Sequence, residues 1–304
     1  MIVKESQAAV FPGQGVQKYL PEMTRLLLET DPGAEATFAE SRRYLEGLDV
    51  LKAILEGDPE KLDEPTTLQP AVAVSNVAAL ESLKRIGFRP DVVAGHSLGE
   101  FPSLYAAGSI TLETMCLLVK ARALFMKEAD GGMAAFFRIS RYRANQLARE
   151  YGLDVAAHNV LEKNKENIVL SGSKAALTKA KNAARAIDLN IPYAAHSRKM
   201  LIARQKMALF ARHVPIYEPS ISIIANGTGD YFRSIREIRR DISHQLTKTV
   251  QWDRGIRRME KDGVTIIYEV GAGSVLTGMN QAIVNGRIES VPFDPSLQSY
   301  DFTE

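Results

Sequence analysis

Ser97 stands between Gly95 and Gly99 in the run DVVAGHSLGE, residues 91–100, and that spacing permits a particular kind of chemistry. Val92, Val93 and Ala94 predict a short strand that stops at Gly95, and a helical pattern resumes after Gly99, so the serine falls where a strand turns sharply into a helix. A G-x-S-x-G turn pushes its hydroxyl outward. The next backbone N–H, that of Leu98, lies at a helix N-terminus and can bind a developing oxyanion. Two glycines around a serine also occur in plain strand-to-helix turns, so a nucleophile and a simple turn both stand at this point.

A serine nucleophile needs a base, and the chain holds five histidines. His96 adjoins Ser97 and points away from it in such a turn, which suits packing. His213 and His244 sit among charged residues on helical segments and read as solvated. His158 ends a predicted strand before Asn159 and could border a cleft. His196 follows Tyr193-Ala194-Ala195, where the chain passes from one predicted unit to another, and a residue at such a crossing faces the cleft between them. In α/β-hydrolases the histidine comes near the C-terminus with an acid before it, whereas here the chain runs on to residue 304. A Ser–His pair oriented by something other than Asp fits better.

A third chemical group is conspicuous by its place. Thr111 is set to cap a helix running to about Ala129, and its apolar stripe reads Met115, Leu118, Val119, position 122 and Met126. Position 122 is Arg122. A guanidinium facing a core must find an anion or hydrogen-bond acceptors, so either a structural ion pair or a substrate carboxylate is implied. Upstream, the apolar run Ala8–Phe11 enters Pro12-Gly13-Gln14-Gly15, which reads as a tight turn or as a loop whose N–H groups approach a ligand.

The elements that position these groups follow from periodicity and punctuation. Helical segments are expected over Pro21–Leu28, Ala34–Tyr44, around Leu51, and over Thr67–Ile86, with Gly87 as a stop. From Met133 the pattern changes: strand Ala134–Ile139, a helix capped by Ser140 to Tyr151, strand Val155–Ala157, a polar loop Leu161–Glu166, strand Asn167–Leu170, a helix capped by Ser173 to about Ile187, and strand Asn190–Ala195. This β-α-β-β-α-β order predicts a ferredoxin-like subdomain, residues 131–195, inserted into a large domain made of 1–130 and 196–304. Helices are expected over Met200–His213, Arg233–Leu246, from Asp253, and over Val275–Ile283, with strands at Ile221–Ile224 and Val264–Val270. The Gly271-Ala272-Gly273 turn lacks the third glycine of a dinucleotide fingerprint, since Leu276 takes that position.

Composition narrows the function class. A formal charge of +2 with dispersed Lys and Arg argues against nucleic-acid binding. The single cysteine, Cys116, excludes a disulfide framework and a C-x-x-C metal site, and its apolar surroundings suggest a buried inert thiol. No metal or cofactor is expected. The N-terminus MIVKESQAAVF has no signal-peptide run, and no apolar stretch reaches about 18 residues, so no membrane span is expected and a cytoplasmic location is.

Together these residues resemble the malonyl-CoA:acyl carrier protein transacylase family, including free-standing acyltransferases of polyketide synthesis. The matches run in register through nearly the whole chain: Phe11-Pro12-Gly13-Gln14-Gly15-Val16-Gln17, Gln69-Pro70-Ala71, Gly95 to Glu100, Arg122, His196-Ser197, Asn226, Gln245, Val250-Gln251-Trp252 and Glu269 to Gly273. The resemblance implies a large α/β-hydrolase-like domain with a parallel sheet and a nucleophile elbow. It implies Ser97 as the acylated nucleophile, His196 as its base, and the Gln245 carbonyl as the group orienting the imidazole. Leu98 and Gln14 N–H would form the oxyanion hole, Arg122 would hold the malonyl carboxylate, and Ala195, Asn226 and Gln69 would border the substrate. Malonyl-CoA and acyl carrier protein are the implied partners, with a proofreading acyl hydrolase on the same scaffold as the alternative. Tyr193-Ala194-Ala195-His196 is nearer the pattern of methylmalonyl enzymes, while Leu98 is common in malonyl ones, and a small Ala195 would enlarge the acyl pocket. Arg233, Arg236, Arg239 and Arg240 form a candidate basic patch for an acidic carrier protein.

Overall fold

The computed structural model describes residues 6–162 and 165–302. The chain opens with β1 (Ser6–Phe11) and runs through α1 (Leu20–Thr30), α2 (Ala34–Tyr44), α3 (Val50–Leu55), α4 (Pro59–Leu62) and the long α5 (Pro65–Arg85) before reaching β2 (Val92–Gly95). After Ser97 come α6 (Glu100–Ala106) and α7 (Leu112–Lys127), the latter capped by Thr111 Oγ1, which accepts from Thr114 N at 3.1 Å. The middle stretch is β3 (Gly132–Phe137), α8 (Arg141–Tyr151), β4 (Asp154–Glu162), β5 (Lys165–Gly172), α9 (Lys174–Ala183) and β6 (Ala186–Asp188). The chain then returns through α10 (Leu201–Ala211), β7 (Ser222–Ile224), α11 (Ile235–His244), α12 (Trp252–Lys261), β8 (Val264–Glu269), α13 (Val275–Val284) and β9 (Glu289–Pro292).

This is an α/β fold. A parallel sheet has the strand order β7-β2-β1-β8-β9, with helices packed on it. Parallel strands covered on both faces must be apolar throughout, which is why AAVF and VVAG are buried along their whole length. The register pairs Phe11 with Gly95 and Val10 with Glu269, so the loops after β1, β2 and β8 gather at one carboxyl edge. That edge is where open parallel sheets bind ligands.

The second sheet is antiparallel, in the order β4-β5-β3-β6. Its side chains alternate between two environments as a pleated strand requires. Ala134 and Phe136 enter a separate cluster with Ala144 and Leu147 of α8 and Leu177 and Ala180 of α9. Met133 and Ala135 face the other way and join the large core.

Several expectations hold in kind but shift in extent. Ser140 and Ser173 accept from backbone N–H groups of Arg143 and Ala176, and Gly152 closes α8 in the left-handed region at φ 68°. The helix expected to reach Ile187 ends at Ala183, and the strand expected at Asn190–Ala195 lies instead at Ala186–Asp188, paired to Ala134–Phe136. Pro192 brings no N–H to a ladder, and Ile191 and Ala195 point into a cavity, so their apolar pattern belongs to a binding wall rather than a strand. The polar loop at Leu161–Glu166 is shorter than expected because β4 and β5 extend to Glu162 and Lys165; its tip, 163–164, lies outside the described residues. α4 and β9 were not foreseen. Cys116 is buried, and burial pushes its thiol up to about 12. Among the described residues no helix is long and apolar enough to cross a membrane.

Candidate active site

Close backbone approach explains the glycines around Ser97. A Cβ on Gly95 would lie 1.9 Å from the Gly99 carbonyl carbon, and one on Gly99 would lie 2.0 Å from the Phe11 carbonyl oxygen. Ser97 itself is held at φ 54°, in the left-handed region that costs a non-glycine residue about 1–3 kcal/mol. The surroundings fix that conformation from both sides. Asn226 Oδ1 accepts from Ser97 N at 3.1 Å, and Asn226 Nδ2 donates to Ser97 O at 3.2 Å and to Glu100 Oε2 at 2.8 Å.

His196 Nε2 lies 2.7 Å from Ser97 Oγ. The other ring nitrogen, Nδ1, lies 2.7 Å from the Gln245 carbonyl oxygen and 3.1 Å from that of Lys248. Carbonyl oxygens only accept, so Nδ1 carries the proton and Nε2 presents its lone pair to the serine hydroxyl. Burial, reinforced by the Arg122 charge and partly opposed by the Gln245 carbonyl, pushes the His196 pKa down to about 3. The imidazole is therefore neutral, the form a base requires. His196 also sits at a positive φ of 57°.

Arg122 is 1% exposed, on the stripe with Met115, Leu118, Val119 and Met126. Its Nη1 donates to Gln69 Oε1 at 2.5 Å and its Nη2 to Ser97 Oγ at 3.2 Å, while Nε has no partner among the described residues. No carboxylate pairs with this cation among the described residues. Burial lowers its pKa to about 10, which leaves it charged at neutral pH. Gln69 Nε2 donates onward to Tyr193 Oη at 2.9 Å, and Tyr193 Oη donates to Gln14 Oε1 at 2.6 Å. A hydrogen-bonded chain thus joins the guanidinium to the glycine loop after β1. That loop runs across the turn at Ser97: a Cβ on Gly13 would lie 3.5 Å from Leu98 N.

A cavity of about 280 Å3 opens in front of these groups, between the loops of the parallel sheet and the inner face of the antiparallel one. Ser97, His196, Gln14 and Ala195 line it, with apolar residues such as Met133, Val169 and Met279 and the cross-strand pair Asn159 and Asn167. Leu98, Gln245 and Arg122 stand behind this wall. So do Gln69 and Asn226, whose side chains are taken up by Arg122 and Tyr193 and by the Ser97 backbone.

His96 turns away from Ser97, with Nε2 3.2 Å from Asn159 Oδ1 and its ring in a T-shaped contact with Trp252, yet it too lines the cavity. His244 is not simply solvated, since its Nε2 receives Arg204 Nη2 at 2.8 Å. His158 does not line the cavity, because it follows the bulge at Ala157 and lies opposite Ile168 of the separate small cluster. Sequence reasoning missed Tyr193, Asn159 and Asn167 as parts of the site. Two asparagines amid apolar strand residues were a usable signal for the latter pair.

The chain belongs to the acyl transferase domain family, whose model matches residues 9–291. Within that class it is similar to the malonyl CoA-acyl carrier protein transacylase of Bacillus subtilis strain 168, with 31% identity covering 93% of this chain and 92% of the relative. The malonyl-CoA:acyl carrier protein transacylase of Xanthomonas oryzae superposes with a TM-score of 0.88 at 28% identity, covering 96% of this chain and 95% of that one. A malonyl-transacylase solved in complex with its type II PKS acyl-carrier protein superposes with a TM-score of 0.91 at 27% identity, covering 98% and 100%.

Proposed function

We propose that this chain moves a malonyl group from coenzyme A to the phosphopantetheine thiol of acyl carrier protein through an acyl-Ser97 intermediate. One observation carries the reading: Arg122 is a fully buried cation with no carboxylate partner among the described residues, 3.2 Å from the candidate nucleophile. Glu100 acts on it through charge alone and no carboxylate among the described residues accepts a hydrogen bond from it, and an acyl group that ends in a carboxylate supplies that acceptor.

Ser97 Oγ attacks the thioester carbonyl while its proton passes to His196 Nε2, and the oxyanion of the tetrahedral intermediate accepts from Leu98 and Gln14 N–H. Collapse breaks the carbon–sulfur bond, and the coenzyme A thiolate takes the proton from His196. The carrier-protein thiol then gives its proton to Nε2 and attacks the acyl ester, and Ser97 leaves as alkoxide and is reprotonated, giving ping-pong kinetics. The Gln245 carbonyl fixes the imidazole in place of an acid. Gln69 acts by positioning Arg122, and Asn226 by clamping the elbow backbone. Asn159 and Asn167 face the amides of the pantetheine arm, which both half-reactions share. Ala195 sets the room for the acyl chain.

The strand order of the antiparallel sheet supports a ferredoxin-like subdomain at 131–195, and the φ of Ser97 between β2 and α6 supports a nucleophile elbow in an α/β-hydrolase-like domain of 1–130 and 196–304. Arg233, Arg236 and Arg240 are exposed and suit an acidic partner, whereas Arg239 is drawn back onto the Ala211 and Val214 carbonyls. The test is transfer of labelled malonyl from malonyl-CoA to acyl carrier protein bearing its phosphopantetheine arm. The wild type should transfer with parallel double-reciprocal lines and S97A should not; release of free malonate without labelled carrier protein would overturn the reading in favour of a hydrolase.

A further inference from the structure

Beneath the nucleophile lie two carboxyl groups that the acyl-transfer chemistry does not use. Glu100, the first residue of α6, is 1% exposed, and Asp241, on α11, is 5% exposed. The two carboxyls are neighbours: Asp241 Oδ1 would lie 3.3 Å from a Cβ on Gly227, the residue after Asn226, whose Nδ2 donates to Glu100 Oε2, and an oxygen on each acid, Glu100 Oε1 and Asp241 Oδ2, has no donor among the described residues. Two ionised carboxylates cannot sit against each other in a dry interior, because neither can donate. A proton held between them removes the conflict.

We propose that Glu100 and Asp241 share one proton, and that this carboxyl pair is a positioning device that fastens the two halves of the Ser97–His196 dyad to each other. The connections run in both directions from the pair. Glu100 Oε2 accepts from Asn226 Nδ2, the side chain that grips Ser97 N and O. Asp241 lies on the last turn of the helix that leads into Gln245, whose carbonyl holds His196 Nδ1 at 2.7 Å. The serine backbone and the imidazole's anchor therefore meet at one hydrogen bond between acids.

The groups around the pair are consistent with one negative charge and one proton. Arg122 faces Glu100, and Lys248 and Arg240 face Asp241, acting through charge rather than contact. Burial, and then the Asp241 charge, holds Glu100 well above the ordinary carboxylate range, and burial also raises Asp241. Neither side chain lines the cavity, so both are positioning residues.

The inference rests on the reading of Ser97 and His196 given above, and its test separates the two. The rate of Ser97 acylation by malonyl-CoA is measured for the wild type, E100A and E100Q. A glutamine amide donates to Asp241 and accepts from Asn226 as the protonated acid does. E100A should lower the acylation rate about 10- to 100-fold with little change in KM, and E100Q should restore it to within about threefold. The wild type should also lose rate on the alkaline side as the shared proton leaves, and E100Q should not. A wild type that never acylates defeats the parent reading. An acylating wild type with E100A equally fast, or with E100Q as slow as E100A, defeats the pair. If E100A does not fold, thermal unfolding of the wild type and E100Q across pH decides. A folded state that keeps a proton the unfolded chain releases loses stability as pH rises, so the wild type should fall relative to E100Q above the ordinary carboxylate range. A pH-independent difference would overturn the proposal.

Discussion

Arg122 and Arg141 are both arginines held inside polar contacts at a junction of elements, and they are built in opposite ways. Arg141, at the start of α8, spans two carboxylates: its Nε donates to Glu166 Oε1 at 3.1 Å, and its Nη2 to Asp253 on α12. Its charge is answered, and it ties the antiparallel sheet to the main body. Arg122 is more deeply buried, yet its acceptors are an amide and a hydroxyl, both uncharged. A buried cation answered by carboxylates reads as architecture. One left with neutral hydrogen-bond acceptors beside a candidate nucleophile reads as a receptor for a carboxylate that the protein does not itself supply.

Substitution at each arginine separates the two roles. R122M should lower kcat/KM for malonyl-CoA about 10²- to 10³-fold and raise the share of acetyl transfer, measured with competing thioesters. Unchanged selectivity would mean that Arg122 is architecture too. A195F sharpens the distinction between charge and room: it should reduce methylmalonyl relative to malonyl transfer about tenfold while leaving the need for a carboxylate intact, as competing-substrate assays would show. R141A should leave acyl selectivity alone and cost about 1–2 kcal/mol of stability in chemical denaturation, a figure discounted because its side chain is 46% exposed.

The smallest expected effect concerns pH. Because His196 is pushed down to about 3 by burial and by Arg122, transfer by the wild type should remain active well below the ordinary histidine range. R122M removes one of those causes, so its acid limb, followed with acetyl-CoA, should move to higher pH, whereas that of R141A should not. The sign for stability is the same: an unfolded histidine takes up a proton that the folded one refuses, so stability falls as pH drops from the histidine range toward 3.

What was legible in the sequence was legible because it is local. The glycines flanking Ser97, the caps Thr111, Ser140 and Ser173, and the break in an apolar stripe at Arg122 each need only a few neighbouring residues to interpret. The pairings that complete the site are not local. Nothing near Asp241 signals that its partner is Glu100, and nothing near Gln69 signals a link through Tyr193 to Gln14. The misplaced strand at Asn190–Ala195 has the same origin. Its apolar residues obey a strand-like pattern, but what fixes their path is the cavity they line and a proline that brings no N–H to a ladder.

In the proposed reaction Ser97 receives an acyl group whose own carboxylate is held by Arg122. Intact-mass analysis with peptide mapping, after the wild type and R122M are incubated with an equal mixture of malonyl-, methylmalonyl- and acetyl-CoA, tests it in one measurement. A carboxylate-bearing acyl group is expected on Ser97 of the wild type, with a shift toward acetyl on R122M. Acetyl as the main adduct of the wild type, or the same adduct pattern on both proteins, would contradict it.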